Sequence, residues 1–253
     1  MSEIEVFNLN NSPKPIPLGL LASLKPAAVK LILDCNAITI SEIIKLTLLD
    51  LSFRKVIKIK EDFKSLHPSN SERAYTIVET GTEFKNYKPD NFETYFLADL
   101  KTDTYFHLKV YLKKVFETLP ATYDFYRQII IDTQTKNYFN QGILFKAFQL
   151  IKLNIKGRLA QQKISNNIDN LNHIIANIIK EEPDEAFKLL RVLKGNIFLL
   201  NSLNFEIFDR LDLEIPSDKL FNSEFDLVLD FLYLSDKKYV ISDLYDLFSS
   251  KKI

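Results

Sequence analysis

The three histidines, His67, His107 and His173, stand alone, with no second histidine or cysteine three or four residues away. That is the spacing at which a helix or turn presents two donors to one metal ion, and a closed zinc site needs four. Structural or solvated roles follow for all three, His67 in a polar loop and the other two in helices, and no metal is expected. Cys35, the single cysteine, follows Asp34. The neighbouring negative charge raises a thiol pKa, so Cys35 reads as a small core residue and not as a nucleophile. Carboxylates are plentiful. Glu181-Glu182-Pro183-Asp184-Glu185 reads as a solvated helix start, and Asp209, Asp212, Glu214 and Asp218 surround a turn at Pro216. Adjacency in sequence does not make such groups converge, which acid-base or cation chemistry requires. The Gly-x-Ser-x-Gly elbow, the His-Glu-x-x-His pair and the phosphate loop are all missing from the sequence. With only 5 glycines, few positions allow backbone to approach a phosphate closely. The expectation is a non-enzymatic protein without a cofactor.

Two basic sets remain as binding candidates. The first lies on a helix predicted over 138–157, where Leu144, Ala147, Phe148, Ile151 and Ile155 form an apolar arc. Lys146, Gln149, Lys152 and Lys156 form the opposite one, continuing into Arg158 and Lys163. Lysine stems interspersed with apolar groups suit an acidic partner or an anionic membrane surface. Lys146, Lys152, Lys156 and Arg158 are therefore the candidate partner-binding residues, set against a core helix with solvated lysines. The second set is Arg54, Lys55, Lys58 and Lys60, the alternative nucleic-acid-binding residues. Arg54 ends a helix over 42–54 whose face is mostly Ile, Leu and Phe, and the three lysines follow on the strand after it, with Glu61 and Asp62 next. A groove-reading helix needs a continuous polar, basic face, so a structural helix and a solvated edge strand are favoured, and nucleic acid is disfavoured. Aromatic residues crowd 92–126 at helical spacing, more as core and contact filler than as a base-stacking platform.

Positioning these residues falls to a chain of 253 residues with 46% hydrophobic residues, long enough for a substantial core. Two parts are expected, residues 1–90 and 91–253. The first is mixed. A helix over 25–34 carries Pro26 in its first turn, a short extended piece covers 37–40, and Ser41 caps the helix over 42–54. Strand-period alternation at 56–60 and a β-branched run at 74–80 follow, with a polar loop between them. From 91 onward the pattern is helical, with candidates at 91–100, 104–118, 121–134, 138–157, 160–180, 184–194, 197–210, 217–234 and 239–249. Breaks are expected at Pro120, Gly142, Gly157, Pro183, Gly195 and Pro216. No apolar run reaches the roughly 18–20 residues of a membrane span, and the acidic, proline-punctuated start does not read as a secretory signal, so a cytoplasmic protein is expected.

Helix, short strand, helix, strand, loop, strand is a winged-helix order. The stretch from Ile38 to Ile59, and within it Leu48-Leu49-Asp50-Leu51-Ser52-Phe53-Arg54, resembles the winged-helix-like cytoplasmic segment of a family of uncharacterised bacterial predicted membrane proteins. There a helix ending in Leu-x-Asp-Leu-x-x-Arg-Gly leads into a strand; Lys55 stands here where that pattern has glycine. The resemblance implies an N-terminal winged-helix-like α+β module; with the all-helical domain that the periodicity above predicts after it, the fold class expected is mainly α.

The 33 basic and 33 acidic residues cancel only in total. Residues 136–180 hold seven basic residues against Asp169 alone, whereas 181–253 are acidic by six charges. Such segments neutralise each other within one chain or pair two copies head to tail. A protein-interaction or scaffold protein, with a protein partner or self-association, is thus the first functional expectation. A winged-helix DNA-binding regulator is the alternative.

Overall fold

The computed structural model describes residues 18–35, 37–64, 73–143 and 147–203. Over these residues the protein is mainly α-helical, with a small three-stranded antiparallel sheet. Helices α1 (Gly19–Ser23), α2 (Pro26–Asp34) and α3 (Ile40–Phe53) lead into strands β1 (Ile57–Lys64) and β2 (Arg73–Thr80). Helix α4 (Asn91–Leu97), strand β3 (Tyr105–His107), and helices α5 (Leu108–Thr118) and α6 (Thr122–Asp132) follow. A 3-10 turn at Lys136–Tyr138 precedes the long helix α7 (Ile155–Glu181), then α8 (Pro183–Leu193) and a second 3-10 segment, Lys194–Leu199. No helix among the described residues is long and apolar enough to cross a membrane.

Local chemistry accounts for most boundaries. Pro26 opens α2, where its missing N–H costs nothing. Helix α3 starts two residues before the expected 42 because Thr39, not Ser41, caps it: the Glu42 N–H donates to Thr39 Oγ1, and the Thr39 N–H donates to the Glu42 carboxylate. It ends in a Schellman arrangement, with the Val56 N–H on the Leu51 carbonyl and the Lys55 N–H on that of Ser52. That geometry places Lys55 at φ 55°, in the left-handed region that glycine occupies without strain. Asp184 and Glu185 fill the first turn of α8, as the helix dipole favours.

Strand β1 alternates as its sequence predicts, Ile57 and Ile59 buried and Lys58 and Lys60 on the other face. It pairs with β2 in a register that sets Ile57 opposite Thr80 and Lys60 opposite Ile77. The second edge of β2 is covered by β3, with Val78 opposite Phe106. Of residues 104–107, expected to open a helix, Tyr105–His107 form strand β3 instead, and the segment from 91 is not wholly helical. Satisfying the backbone groups along Ile77–Glu79 decides this, because a strand edge left unpaired in the interior is costly.

One hydrophobic cluster runs from Leu18 to Leu200 and draws on residues on both sides of position 90. Helix α7 buries the seam Gly157, Ala160, Ile164, Ile168, Leu171, Ile175 and Ile178, and the second 3-10 segment packs against α3. Asn196, buried in that segment, donates to the carbonyls of Leu21 in α1 and Leu24 just after it. The break expected near Gly195 is present, since α8 ends at Leu193 with Lys194 at φ 53°, whereas none occurs at Gly157. Gly157 lies inside α7, where a Cβ would strike the Tyr138 carbonyl oxygen, and Gly195 lies inside the 3-10 segment against Asp50.

Candidate interaction surface

Two carboxylates with the strongest surroundings are not those that sequence adjacency picked out. Asp50 of α3 is 2% exposed and Glu93 of α4 is 1% exposed. Arg54 Nε lies 3.0 Å from Asp50 Oδ2, one helical turn on. Glu93 takes Lys25 Nζ at 2.6 Å, the Tyr87 hydroxyl at 2.8 Å and the Asp90 N–H at 2.9 Å, while Lys25 also reaches Asp90 at 2.6 Å. Burial raises the Asp50 pKa against the pull of Arg54, and burial together with Glu93 pushes the Tyr87 phenol far up, so Tyr87 remains a proton donor. The cluster ties α2, α3 and α4 together. Asp50 and Glu93 are closed off from solvent, which suits a structural role and not substrate chemistry. Nothing in sequence spacing joins Lys25 to Glu93; only the Asp50-to-Arg54 interval of one helical turn was visible.

His107 is the last residue of β3, not part of a helix, with its ring edge-on to Tyr75 at 5.4 Å; His173 is exposed on α7. Cys35 is half-buried at the end of α2, and burial first, then Asp34, raises its thiol pKa. Among the described residues no three His, Cys, Asp or Glu side chains gather where a metal ion could sit. His67, and the acids at 209, 212, 214 and 218, lie outside the described residues, as do the helices expected over 217–234 and 239–249.

The helix expected over 138–157 is not continuous. Phe139 and Leu153 form an antiparallel bridge, the Asn140 N–H donates to the Lys152 carbonyl at 2.8 Å, and the Asn154 N–H donates to that of Tyr138 at 3.0 Å. Gln149 turns the chain at φ 52°. Helix α7 begins only at Ile155, because the Asn154 side chain caps it by accepting the Gly157 N–H at 3.0 Å. Asn154 three residues before Gly157, and the turn-forming Asn140-Gln141-Gly142, were the sequence signals for this break. Leu153, which interrupts the lysine arc, is the buried residue here, while Phe148 and Ile155 of the apolar arc are exposed.

Around the break, apolar side chains are left exposed. Eight large apolar side chains are strongly exposed among the described residues, and six of them, Ile131, Ile143, Phe148, Leu150, Ile155 and Leu159, fall between positions 131 and 159. Ile143 is 84% exposed, and Phe148 and Ile155 are each 70% exposed. A groove between α6 and the 139–153 segment is lined by Tyr123, Arg127, Ile131, Lys136 and Leu150 among others. On α7 the solvent face beyond Leu159 turns polar, with Gln162, Lys163, Asn166, Asp169, Asn170 and His173, so the apolar exposure is confined to the first two turns. Lys152, Lys156 and Arg158 are exposed in the same stretch; Lys146 lies outside the described residues.

The second basic set is differently placed. Nine of the fourteen residues of α3 are buried, so this helix offers no broad face to a nucleic-acid groove. Arg54 is engaged by Asp50, and Lys60 Nζ lies 2.8 Å from Glu79 on β2. Lys55 is exposed and Lys58 is partly so.

No family model, no curated protein and no solved structure matches this chain.

Proposed function

We propose that this protein is a non-enzymatic protein-interaction or scaffold protein, and that its partner-binding face is the apolar and basic surface over 131–159. The observation that carries the reading is the concentration there of six of the eight strongly exposed apolar side chains, beside Lys152, Lys156 and Arg158. Isolated exposed apolar residues are ordinary, whereas apolar exposure gathered into a patch marks an interface, and a concentration within so short a segment favours such a patch. A partner of matching chemistry presents an apolar face fringed with carboxylates.

The test is affinity capture from native lysate with the wild-type chain, with Phe148→Asp, and with the charge reversal Lys152→Glu, Lys156→Glu, Arg158→Glu. A stoichiometric protein held by the wild type and lost from both variants supports the reading. Equal retention by all three, or no partner together with a monomeric mass in light scattering, overturns it. Sedimentation with phosphatidylserine vesicles that is abolished by the same variants, in place of protein capture, reassigns the face to a lipid surface.

The alternative, a winged-helix DNA-binding regulator built on residues 25–80, rests on Arg54, Lys55, Lys58 and Lys60. The ion pairs of Arg54 and Lys60 count against it. It requires duplex binding that weakens steeply with salt and with neutralisation of Lys55 and Lys58.

A further inference from the structure

We infer that residues 204–236 of this chain are the resident occupant of the apolar and basic face over 131–159, so that an external partner must displace the protein's own acidic segment. The inference rests on the interaction-face reading above and adds its regulation.

Charge complementarity comes first. Residues 204–236 carry nine acidic residues against Arg210 and Lys219, and sixteen of the 33 are Phe, Tyr, Leu, Ile or Val. A segment that is both strongly acidic and half apolar needs a surface that is both basic and apolar to bury against. The face over 131–159 has both properties: exposed Phe148, Ile155 and Leu159 lie in a stretch with Lys152, Lys156 and Arg158, and residues 136–180 contain Asp169 as their only acid.

Reach comes second. The described chain ends at Leu203, and Ser202 is anchored to α7, its N–H and hydroxyl both meeting Asn172 Oδ1, at 3.3 and 3.1 Å. Leu159 lies on the same helix, so at 1.5 Å per residue it is about 20 Å from that anchor along the axis. Some six or seven residues of extended chain cover about 20 Å. The segment is several times longer than that. A tether this short gives an effective concentration on the order of millimolar. Intramolecular docking therefore competes well with the head-to-tail pairing of two copies that the same charges allow.

The test uses the full chain, prepared as an equal mixture of ordinary and nitrogen-15-labelled protein and treated with a zero-length carbodiimide cross-linker. Amide cross-links from Lys152 or Lys156 to carboxylates within 204–236, joining residues of the same isotopic composition, are the expected result; Lys88 and Lys109, exposed elsewhere, serve as controls. Hydroxyl-radical footprinting supplies the second readout. Phe148 should be protected in the wild type and become reactive in Phe225→Asp, Leu229→Asp. Cross-links of mixed isotopic composition assign the face to a second copy and overturn the inference. It is also overturned by the absence of lysine-to-tail cross-links, or by Phe148 reacting equally in wild type and variant. Those failures leave the interaction-face reading standing if capture still depends on Phe148; loss of that dependence is the separate failure of the reading itself.

Discussion

Gly195, in the 3-10 segment after α8, lies directly against the buried carboxylate of Asp50 on α3. The absent side chain is what lets residues more than a hundred positions apart come together, with Asn196 next to it donating to the Leu21 and Leu24 carbonyls. A methyl group at 195 would overlap Asp50 Oδ1, Cγ and Cβ. Overpacking of a close-packed site costs about 1–3 kcal/mol, and Gly195→Ala is expected to lower unfolding free energy by that amount in urea titration. An unchanged midpoint would mean that Asp50 moves aside freely.

Gly157 makes a sharper case because two rules oppose each other. Alanine is favoured over glycine inside a helix by about 1 kcal/mol, so propensity alone makes Gly157→Ala stabilising. In α7 the new methyl meets the Tyr138 carbonyl oxygen and sits 2.9 Å from Leu153 Cδ2. The backbone carbonyl cannot rotate away as a side chain can. Net destabilisation by thermal or urea unfolding is the expected outcome, with loss of the Phe139 to Leu153 bridge visible as faster amide exchange at Asn140 and Asn154.

Lys55 points the other way. It holds φ 55° at the end of α3, a conformation that costs an L-residue about 1–2 kcal/mol. Lys55→Gly is expected to raise stability by about 1 kcal/mol once glycine's greater unfolded-state entropy is subtracted. Lys55→Ala, which removes the same charge but keeps Cβ, should give no such gain. A gain shared by both variants would assign the effect to charge.

Acid sensitivity should trace in part to Glu42. Burial alone would raise its pKa, but the Thr39 N–H at 3.0 Å and Lys30 Nζ at 3.0 Å outweigh that and hold it below the usual carboxylate range. A carboxylate depressed in the folded state contributes stability that is present above its unfolded pKa, about 4.3, and is lost as the pH falls through the folded value. Glu42→Gln should therefore be less stable than wild type at pH 7, and the gap should narrow progressively as the pH falls below the usual glutamate range. Parallel pH profiles of the two proteins in denaturant titration would show that Glu42 does not contribute through its charge.

Much of the fold is legible locally. Helix α2 follows from Pro26 and its apolar periodicity, α3 and the first two strands from a switch between periods of 3.6 and 2, and α8 from its acidic first turn. The small errors share a cause. Ser41 is by type at least as good a cap as Thr39, and the reciprocal bond with Glu42, three residues beyond Thr39, selects the latter. The larger errors come from residues whose partners lie far along the chain. Tyr105-Phe106-His107 is extended because β2 has an edge to satisfy, and 139–153 folds back because Tyr138, Phe139 and Asn140 find partners in Lys152, Leu153 and Asn154.

For the candidate face the division is the same. The sequence alone determined that basic and apolar residues intermix near Lys152, Lys156 and Arg158, and that charge separates into a basic middle and an acidic end, because composition is independent of folding. It also determined most helices, whose hydrogen bonds close within four residues. Which apolar residues remain outside was decided only in three dimensions. Phe148 and Ile155 are exposed and Leu153 is buried because Asn154 restarts the helix and Gly157 lets it pack on Tyr138. A helical projection assumes an unbroken axis, and close contact between distant backbones is what breaks it.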